Sequence, residues 1–159
     1  MTSIDFLGSP CARLVLYLPH RPEGLDSFVH APSAGEIVAA NSNHWRKIIN
    51  LLAKVASPQE DDWRRFRDSD LFEHTALCFE PALKEEGCWH WIAGQANLQR
   101  FVSLDHHAAV LPEDAEIAVD GARRLLLSPY PDYRQLSNQR VARIREALAQ
   151  AGFYGGVAF

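Results

Sequence analysis

The sequence lacks the features that would assign it to a class of protein directly. No stretch approaches the roughly 18 apolar residues of a membrane-spanning helix, so we expect no membrane partner. Residues 1–6 have neither the basic nor the apolar region of a signal peptide. Strong positive charge is also missing, because the net charge is −4. A strongly basic balance would have indicated nucleic acid outright, whereas this one leaves only a local basic face possible.

Cysteine is scarce, and its spacing argues against disulfides and zinc. Cys11, Cys78 and Cys88 make an odd number and contain no C-x-x-C pair, which argues against a disulfide framework or a zinc ribbon. The neighbouring histidines His106 and His107 show no recognised metal-binding spacing such as H-E-x-x-H. We therefore expect no metal and no cofactor, and a reducing cytoplasm is the simplest compartment.

Length and hydrophobic pattern predict one folded unit of the α/β class. The 159 residues are 47% hydrophobic and 23% charged, which is typical of a single globular domain, here residues 1–159. Apolar runs predict strands at residues 13–18, 88–93, 115–119 and 124–127. Apolar stripes at helical spacing predict helices at residues 43–55, 95–102 and 138–151, with shorter helices at residues 58–66 and 70–78. Residues 19–40, rich in Pro, Gly and Ser, predict a long loop.

The alternation of strands and helices predicts a particular architecture. Strands separated by helices imply right-handed crossovers and a sheet covered on both faces. We expect a three-layer α/β sandwich with a central, mainly parallel sheet of about four strands. In such sheets ligands bind outside the carboxyl ends of the strands. The loops that follow Leu18, Ala93 and Leu127 should therefore meet at one edge.

The three loops carry side chains suited to acid–base chemistry on a polar substrate. They offer an imidazole, carboxylates, guanidinium groups and phenols. A tyrosine on a proline-stiffened loop can also hold an aromatic ring against a nucleobase. The candidate residues are His20, Arg21 and Glu23 in the first loop, Gln95 in the second, and Ser128, Tyr130, Asp132 and Arg134 in the third.

Three short segments occur in an order that resembles a known family. Residues 41–49 (N-S-N-H-W-R-K-I-I) are similar to an N-x-F-W-x-x-apolar segment that follows a strand and a proline-containing loop. Residues 92–96 (I-A-G-Q-A) resemble an apolar-G-x-A strand end, and residues 125–131 (L-L-L-S-P-Y-P) a strand with a P-S-P-type loop. This order resembles the uracil-DNA-glycosylase-like superfamily, in its branch of mismatch-specific uracil and hypoxanthine DNA glycosylases. The resemblance spans roughly residues 13–151.

The resemblance implies roles for several residues. Members of the family flip a base into a pocket and stack it on an aromatic ring. Aligning the loop prolines puts Arg21 where the family has a water-directing Asn or Asp, and Ser128 where it has a His or Asn that supports the leaving base. Both positions depart from the family pattern, and a guanidinium group cannot act as a base. The implied catalytic residues are His20, Glu23 and Ser128, and the implied substrate-binding residues are Arg21, Asn43, Gln95, Tyr130, Asp132 and Arg134.

The function that the resemblance implies has alternatives from other classes. The leading expectation is a divergent glycosylase-like protein that binds or acts on a nucleobase in nucleic acid. A non-catalytic interaction module on the same fold is the main alternative. An enzyme that clamps a small anionic metabolite between Arg21 and Arg134 is a third. Arginines near the carboxyl end could contact phosphates or form a solvated helix face: Arg123, Arg124, Arg134, Arg140, Arg143 and Arg145.

Overall fold

The structure is a computed structural model that describes residues 5–83, 88–102 and 104–154. Within these ranges the strands are β1 (Phe6–Gly8), β2 (Leu14–Tyr17), β3 (Thr75–Cys78), β4 (Trp89–Ala93), β5 (Ala109–Leu111), β6 (Asp114–Asp120) and β7 (Leu125–Ser128). The helices are α1 (Leu25–Phe28), α2 (Ala34–Ala40), α3 (Asn43–Ala56), α4 (Trp63–Ser69), α5 (Leu71–His74), α6 (Gln95–Gln99) and α7 (Asn138–Gln150). A 3-10 turn at Glu60–Asp62 precedes α4.

All seven strands lie in one mixed sheet, in the order β1-β3-β2-β4-β7-β6-β5. The pairings β3–β2, β2–β4 and β4–β7 are parallel, and β1–β3, β7–β6 and β6–β5 are antiparallel. The expected mainly parallel sheet of about four strands is therefore wrong, both in the number of strands and in their directions. With that, the glycosylase-like fold class is not the fold of this chain.

Short connections explain the antiparallel half of the sheet. Only residues 121–124 link β6 to β7, and only residues 112–113 link β5 to β6. A parallel neighbour needs a crossover of a dozen or more residues, so links this short force the strands to reverse direction. The tighter geometry also shows in Arg124, whose φ of 54° lies in the left-handed region. The strands predicted at residues 115–119 and 124–127 correspond to β6 and β7. The few residues between them are too short for the crossover that a parallel pair requires.

The two faces of the sheet are covered unequally. One face, with Leu16 and Trp91, packs against a helical layer formed by α2, α3, α4 and α7. The opposite face, with Tyr17 and Ile92, packs against Phe101 and the neighbourhood of the short helix α6. In the described part of the chain, long helices thus cover only one face, which corrects the expected three-layer sandwich. The longest helices, α3 and α7, are confirmed where their apolar stripes predicted them.

Two other segments differ from the sequence prediction. Residues 75–78 form strand β3 rather than the end of the predicted helix. The sequence did not distinguish the two, because a short apolar run fits a buried strand and a buried helix equally well. Residues 19–40 contain α1 and α2 rather than a continuous loop. Ser33 caps α2 by accepting the backbone N–H of Glu36, so the serine that suggested a loop marks a helix start.

The first strand depends on a glycine, which makes its position testable. At Gly8 the φ angle is +128°, and an added Cβ would lie 2.6 Å from the carbonyl oxygen of Thr75 and 2.7 Å from Cα of Ala76. We expect Gly8→Ala to lower the free energy of unfolding by about 1–3 kcal/mol, measured by urea denaturation. The control is Gly121→Ala, where an added Cβ meets nothing within 4 Å. We expect that variant to stay within about 0.5 kcal/mol of the parent, and equal losses in both would contradict the register of β1.

Candidate functional site

The carboxyl ends of β2, β4 and β7 are neighbours and are joined by hydrogen bonds. The backbone N–H of Gly94 donates to the carbonyl of Ser128 at 2.8 Å. The buried Asn97 side chain donates to the carbonyls of Tyr17 at 2.8 Å and Ala93 at 3.2 Å. In the sheet order, the strand that follows β2 in the chain lies on one side of β2, and the strands that follow β4 lie on the opposite side of β4. This reversal between β2 and β4 is the position where open α/β sheets place their ligands.

A ring cluster lies at this edge on the helical face. The phenol oxygen of Tyr130 is 2.9 Å from Nε2 of His20 and 3.0 Å from Nε2 of His44. The Tyr130 and His44 rings are stacked, with centroids 5.3 Å apart and an interplanar angle of 7°. His20 also contacts the buried Trp45 edge-on, with centroids 5.4 Å apart. We call His20, His44 and Tyr130 the ring cluster; all three side chains are partly buried.

Burial favours the uncharged forms of Tyr130 and His20 in the ring cluster. Burial, with a smaller contribution from the carboxylate of Asp132, raises the pKa of Tyr130 to about 12, so the phenol keeps its proton at neutral pH. Burial, together with the nearby His44, lowers the pKa of His20 below its ordinary value. The phenol has one proton to donate, so it donates to one imidazole and accepts from the other. A proton placed on one imidazole opposes a proton on the second.

The first predicted loop contributes only one of its three candidates to the ring cluster. His20 belongs to it, whereas Arg21 pairs with Asp5 and lies over the ring of Phe79, 5.6 Å from its centroid. Glu23 is exposed, and its backbone N–H donates to Asn41 at 2.7 Å.

The serine of the third loop is engaged inside the protein. Ser128 Oγ accepts the Nε1–H of Trp91 at 2.7 Å and donates to the carbonyl of Pro129 at 2.8 Å. The residue is only 7% exposed. Its hydroxyl therefore holds two buried groups together, and its one proton is already donated to a carbonyl.

The remaining candidates are distributed over the surface around the ring cluster. Asn43, at the start of α3, accepts from Arg46 at 2.8 Å. Asp132 pairs with Lys47 at 3.5 Å and accepts the backbone N–H of Arg134 at 2.9 Å, which lowers the pKa of Asp132. The backbone hydrogen bond is the larger cause of that shift. The side chain of Arg134 itself is exposed.

Gln95 lines a separate pocket on the opposite face of the sheet. This pocket of about 370 Å³ has apolar walls from Ile92, Leu98 and Leu127, and Gln95 and Gln135 stand at its polar side. Gly94 separates the pocket from the ring cluster, because a Cβ at Gly94 would lie 3.4 Å from Cδ2 of Tyr130. The structure thus divides the predicted site between two faces.

His44 is the functional candidate that sequence reasoning did not select. It lies between Asn43 and Trp45 in the segment that resembles the glycosylase family, and the family pattern implies no role for this position. Its approach to Tyr130 spans 86 residues of sequence. The available signal was its place in the first turn of a helix that follows the long β2 connection.

Three of the six late arginines named above support the fold. Arg140 and Arg143 both bind the buried carboxylate of Asp114, at 2.9 and 3.3 Å. Arg145 donates to three carbonyl oxygens at the carboxyl end of α3, at 2.7 to 3.2 Å. These contacts differ from both sequence interpretations, a phosphate-contacting face and a solvated face, because the guanidinium groups are used within the molecule.

The fold and the ring cluster define a mixed-sheet α/β protein with a paired-histidine site at the carboxyl ends of its parallel strands. The chain belongs to a family of unknown function (DUF6942), whose model matches residues 5–149. No curated protein and no solved structure matches the chain. In the described ranges, no helix has both the length and the apolar character to cross a membrane, and no group of three His, Cys, Asp or Glu could hold a metal ion.

The coupling of the two imidazoles can be tested directly. Burial and the nearby His44 both lower the pKa of His20, so replacing His44 removes one of the two causes. We expect His44→Gln to raise the pKa of His20 toward its ordinary value of about 6.5, measured by NMR titration of the imidazole protons. His30→Gln, at an exposed position outside the ring cluster, should leave the titration unchanged. A pKa of His20 that stays the same or falls in His44→Gln would refute the coupling.

Proposed function

We propose that the protein binds a nucleobase presented by single-stranded nucleic acid at the ring cluster. The observation that carries the proposal is the phenol of Tyr130 held between two imidazoles at the strand ends, where ligands of open α/β sheets bind. Imidazole and phenol groups offer hydrogen-bond donors and acceptors, which match the edge of a base. Their ring faces offer stacking surfaces.

Single strands fit the ring cluster better than duplexes. A base inside a duplex is already stacked and paired, so a partly buried ring platform reaches only a base that is unstacked. The α3 surface next to the cluster carries Arg46 and Lys47. Because Lys47 pairs with Asp132 at 3.5 Å, Arg46 is the charge on this surface that we assign to a phosphate contact. Because this charge is local, it is compatible with the net charge of −4 of the whole chain.

The proposal is binding, without the bond cleavage of a glycosylase. The side chains at the two positions that the resemblance singled out, Arg21 and Ser128, are engaged by Asp5 and by Trp91 and Pro129. His20 is the one implied catalytic residue in the ring cluster, where its lowered pKa favours the neutral form.

The cytoplasm, inferred from the odd number of cysteines, is the compartment that we propose.

An interaction module is the second candidate, and one feature favours it. Strand β5 is at the end of the sheet and has Val110 58% exposed, and Val102 is 91% exposed. An exposed edge strand with an apolar side chain can pair with a strand of another protein. This surface is at the far end of the sheet order from β2, so the two functions predict different sensitive residues.

Oligonucleotide binding tests the proposal with matched variants. We expect a fluorescent single-stranded oligonucleotide to bind more tightly than a duplex, with affinity that falls as salt rises, and uracil or hypoxanthine substitutions report base preference. Tyr130→Ala should weaken binding by about 1–3 kcal/mol, the value of one stacked base, whereas Tyr130→Phe should keep much of the stacking. Fluorescence anisotropy at several salt concentrations measures both.

The control for this experiment is Val110→Ala, which changes the exposed edge of the sheet. It should leave oligonucleotide binding unchanged. Absence of binding at low salt, or equal binding by the parent and Tyr130→Ala, would reject the nucleobase proposal.

A further inference from the structure

A second concave surface lies beside α3 and is lined by residues other than His20, His44 and Tyr130. It encloses about 660 Å³ between α3, α4 and the start of α7. We call it the basic groove, and its lining residues are Arg46, Asn50, Lys54, Trp63, Arg64, Arg67, Tyr133, Leu136, Ser137 and Asn138. Four of these side chains are cationic, and no carboxylate belongs to the lining that the structure describes.

The charges of the basic groove are poorly neutralised within the described residues. Arg67 pairs with Asp68 and donates to the buried Asn50 at 2.9 Å. Arg46, Lys54 and Arg64 have no ion pair in residues 5–83, 88–102 and 104–154. Like charges held around one concavity produce a positive potential that attracts an anion.

Lys54 is held at the wall of the groove by two aromatic rings. Its Nζ lies 4.9 Å from the ring centroid of Trp63 and 5.2 Å from that of Tyr133. Nζ also donates to Asn138 Oδ1 at 3.3 Å. Burial and the nearby Arg64 lower the pKa of Lys54. Its ammonium group also has no carboxylate partner in the described residues to provide compensation for its charge. An anion in the groove would supply that compensation.

The start of α7 adds to the positive potential. This helix of 13 residues begins at Asn138, has no acidic residue in its first turn, and is capped by Ser137. The amino end of a helix carries a partial positive charge and backbone N–H groups that bind phosphate. This partial charge adds to the full charges of the arginine and lysine side chains, on which the proposed site depends.

We propose that the basic groove binds a phosphate group. Planar guanidinium groups match two phosphate oxygens at once, and an ammonium group adds a point charge, so Arg46, Arg64 and Lys54 form a set suited to phosphate. The phosphate belongs either to a mononucleotide or to a single strand. Arg46 borders both surfaces, so the assignment rests on Lys54 and Arg64, which line the basic groove and, in the part of the chain that the structure describes, make no contact with the ring cluster.

Ligand titration of the intact protein, followed by NMR, tests this site. The probes are inorganic phosphate, adenosine 5′-monophosphate, adenosine and a single-stranded oligonucleotide. We expect saturable binding of the phosphate-bearing probes, weakened about tenfold by Arg64→Ala and by Lys54→Met, because each removes one charged contact. Arg64 is exposed, so its replacement should not disturb folding, and circular dichroism checks both variants.

The matched control is Arg65→Ala on the same helix. Arg65 is exposed and pairs with Asp62 at 2.6 Å and with Asp70 at 3.5 Å. Replacing it with alanine therefore removes the same formal charge as Arg64→Ala, but outside the basic groove. We expect it to leave phosphate binding unchanged. An equal loss in Arg65→Ala, or no saturable binding of phosphate or adenosine 5′-monophosphate, would overturn the proposal.

The probes separate the two proposals and the two sources of phosphate. Adenosine lacks phosphate, so its binding depends on the ring cluster and responds to Tyr130→Ala rather than to Arg64→Ala. Tighter binding of the mononucleotide than of the oligonucleotide supports a small-molecule source. Tighter binding of the oligonucleotide, with a steep dependence on salt, supports a strand.

Discussion

The parallel alignment of β2, β4 and β7 is the constraint on which the candidate site depends. Because the three strands run in one direction, their carboxyl ends and following loops leave the sheet at one edge. The buried Trp91 fixes this edge by donating its Nε1–H to Ser128. Asn97 closes the gap to β2 through the carbonyl of Tyr17. His20 and Tyr130 meet only because these contacts align strands that are far apart in sequence.

Helix α3 connects the two surfaces to which we assign ligands. His44 is in its first turn and belongs to the ring cluster, whereas Lys54 is in its last turn and belongs to the basic groove. At 1.5 Å per residue these positions are about 15 Å apart along the helix axis. Arg145 holds the far end of α3 by donating to its terminal carbonyls.

Sequence reasoning was most accurate where the signal was local. The apolar stripe of α3 and the cap of α7 at Ser137 depend on residues three or four positions apart, and both are confirmed. It failed for β1 and β5, which have only three residues each, and for β3, which was predicted as a helix. Such short segments become strands because a neighbouring strand supplies their hydrogen bonds, and no sequence window contains that neighbour.

The sequence by itself determined the α/β class, the two long helices and the three loops that carry chemical groups. Only the tertiary structure decided which groups meet. His20 lies within hydrogen-bond distance of Tyr130, which also contacts His44. Arg21 instead pairs with Asp5, and Ser128 donates to a carbonyl inside the protein. The physical reason is that helix periodicity and capping act over a few residues, whereas strand direction and side-chain partners depend on long-range packing and on hydrogen bonds to buried groups.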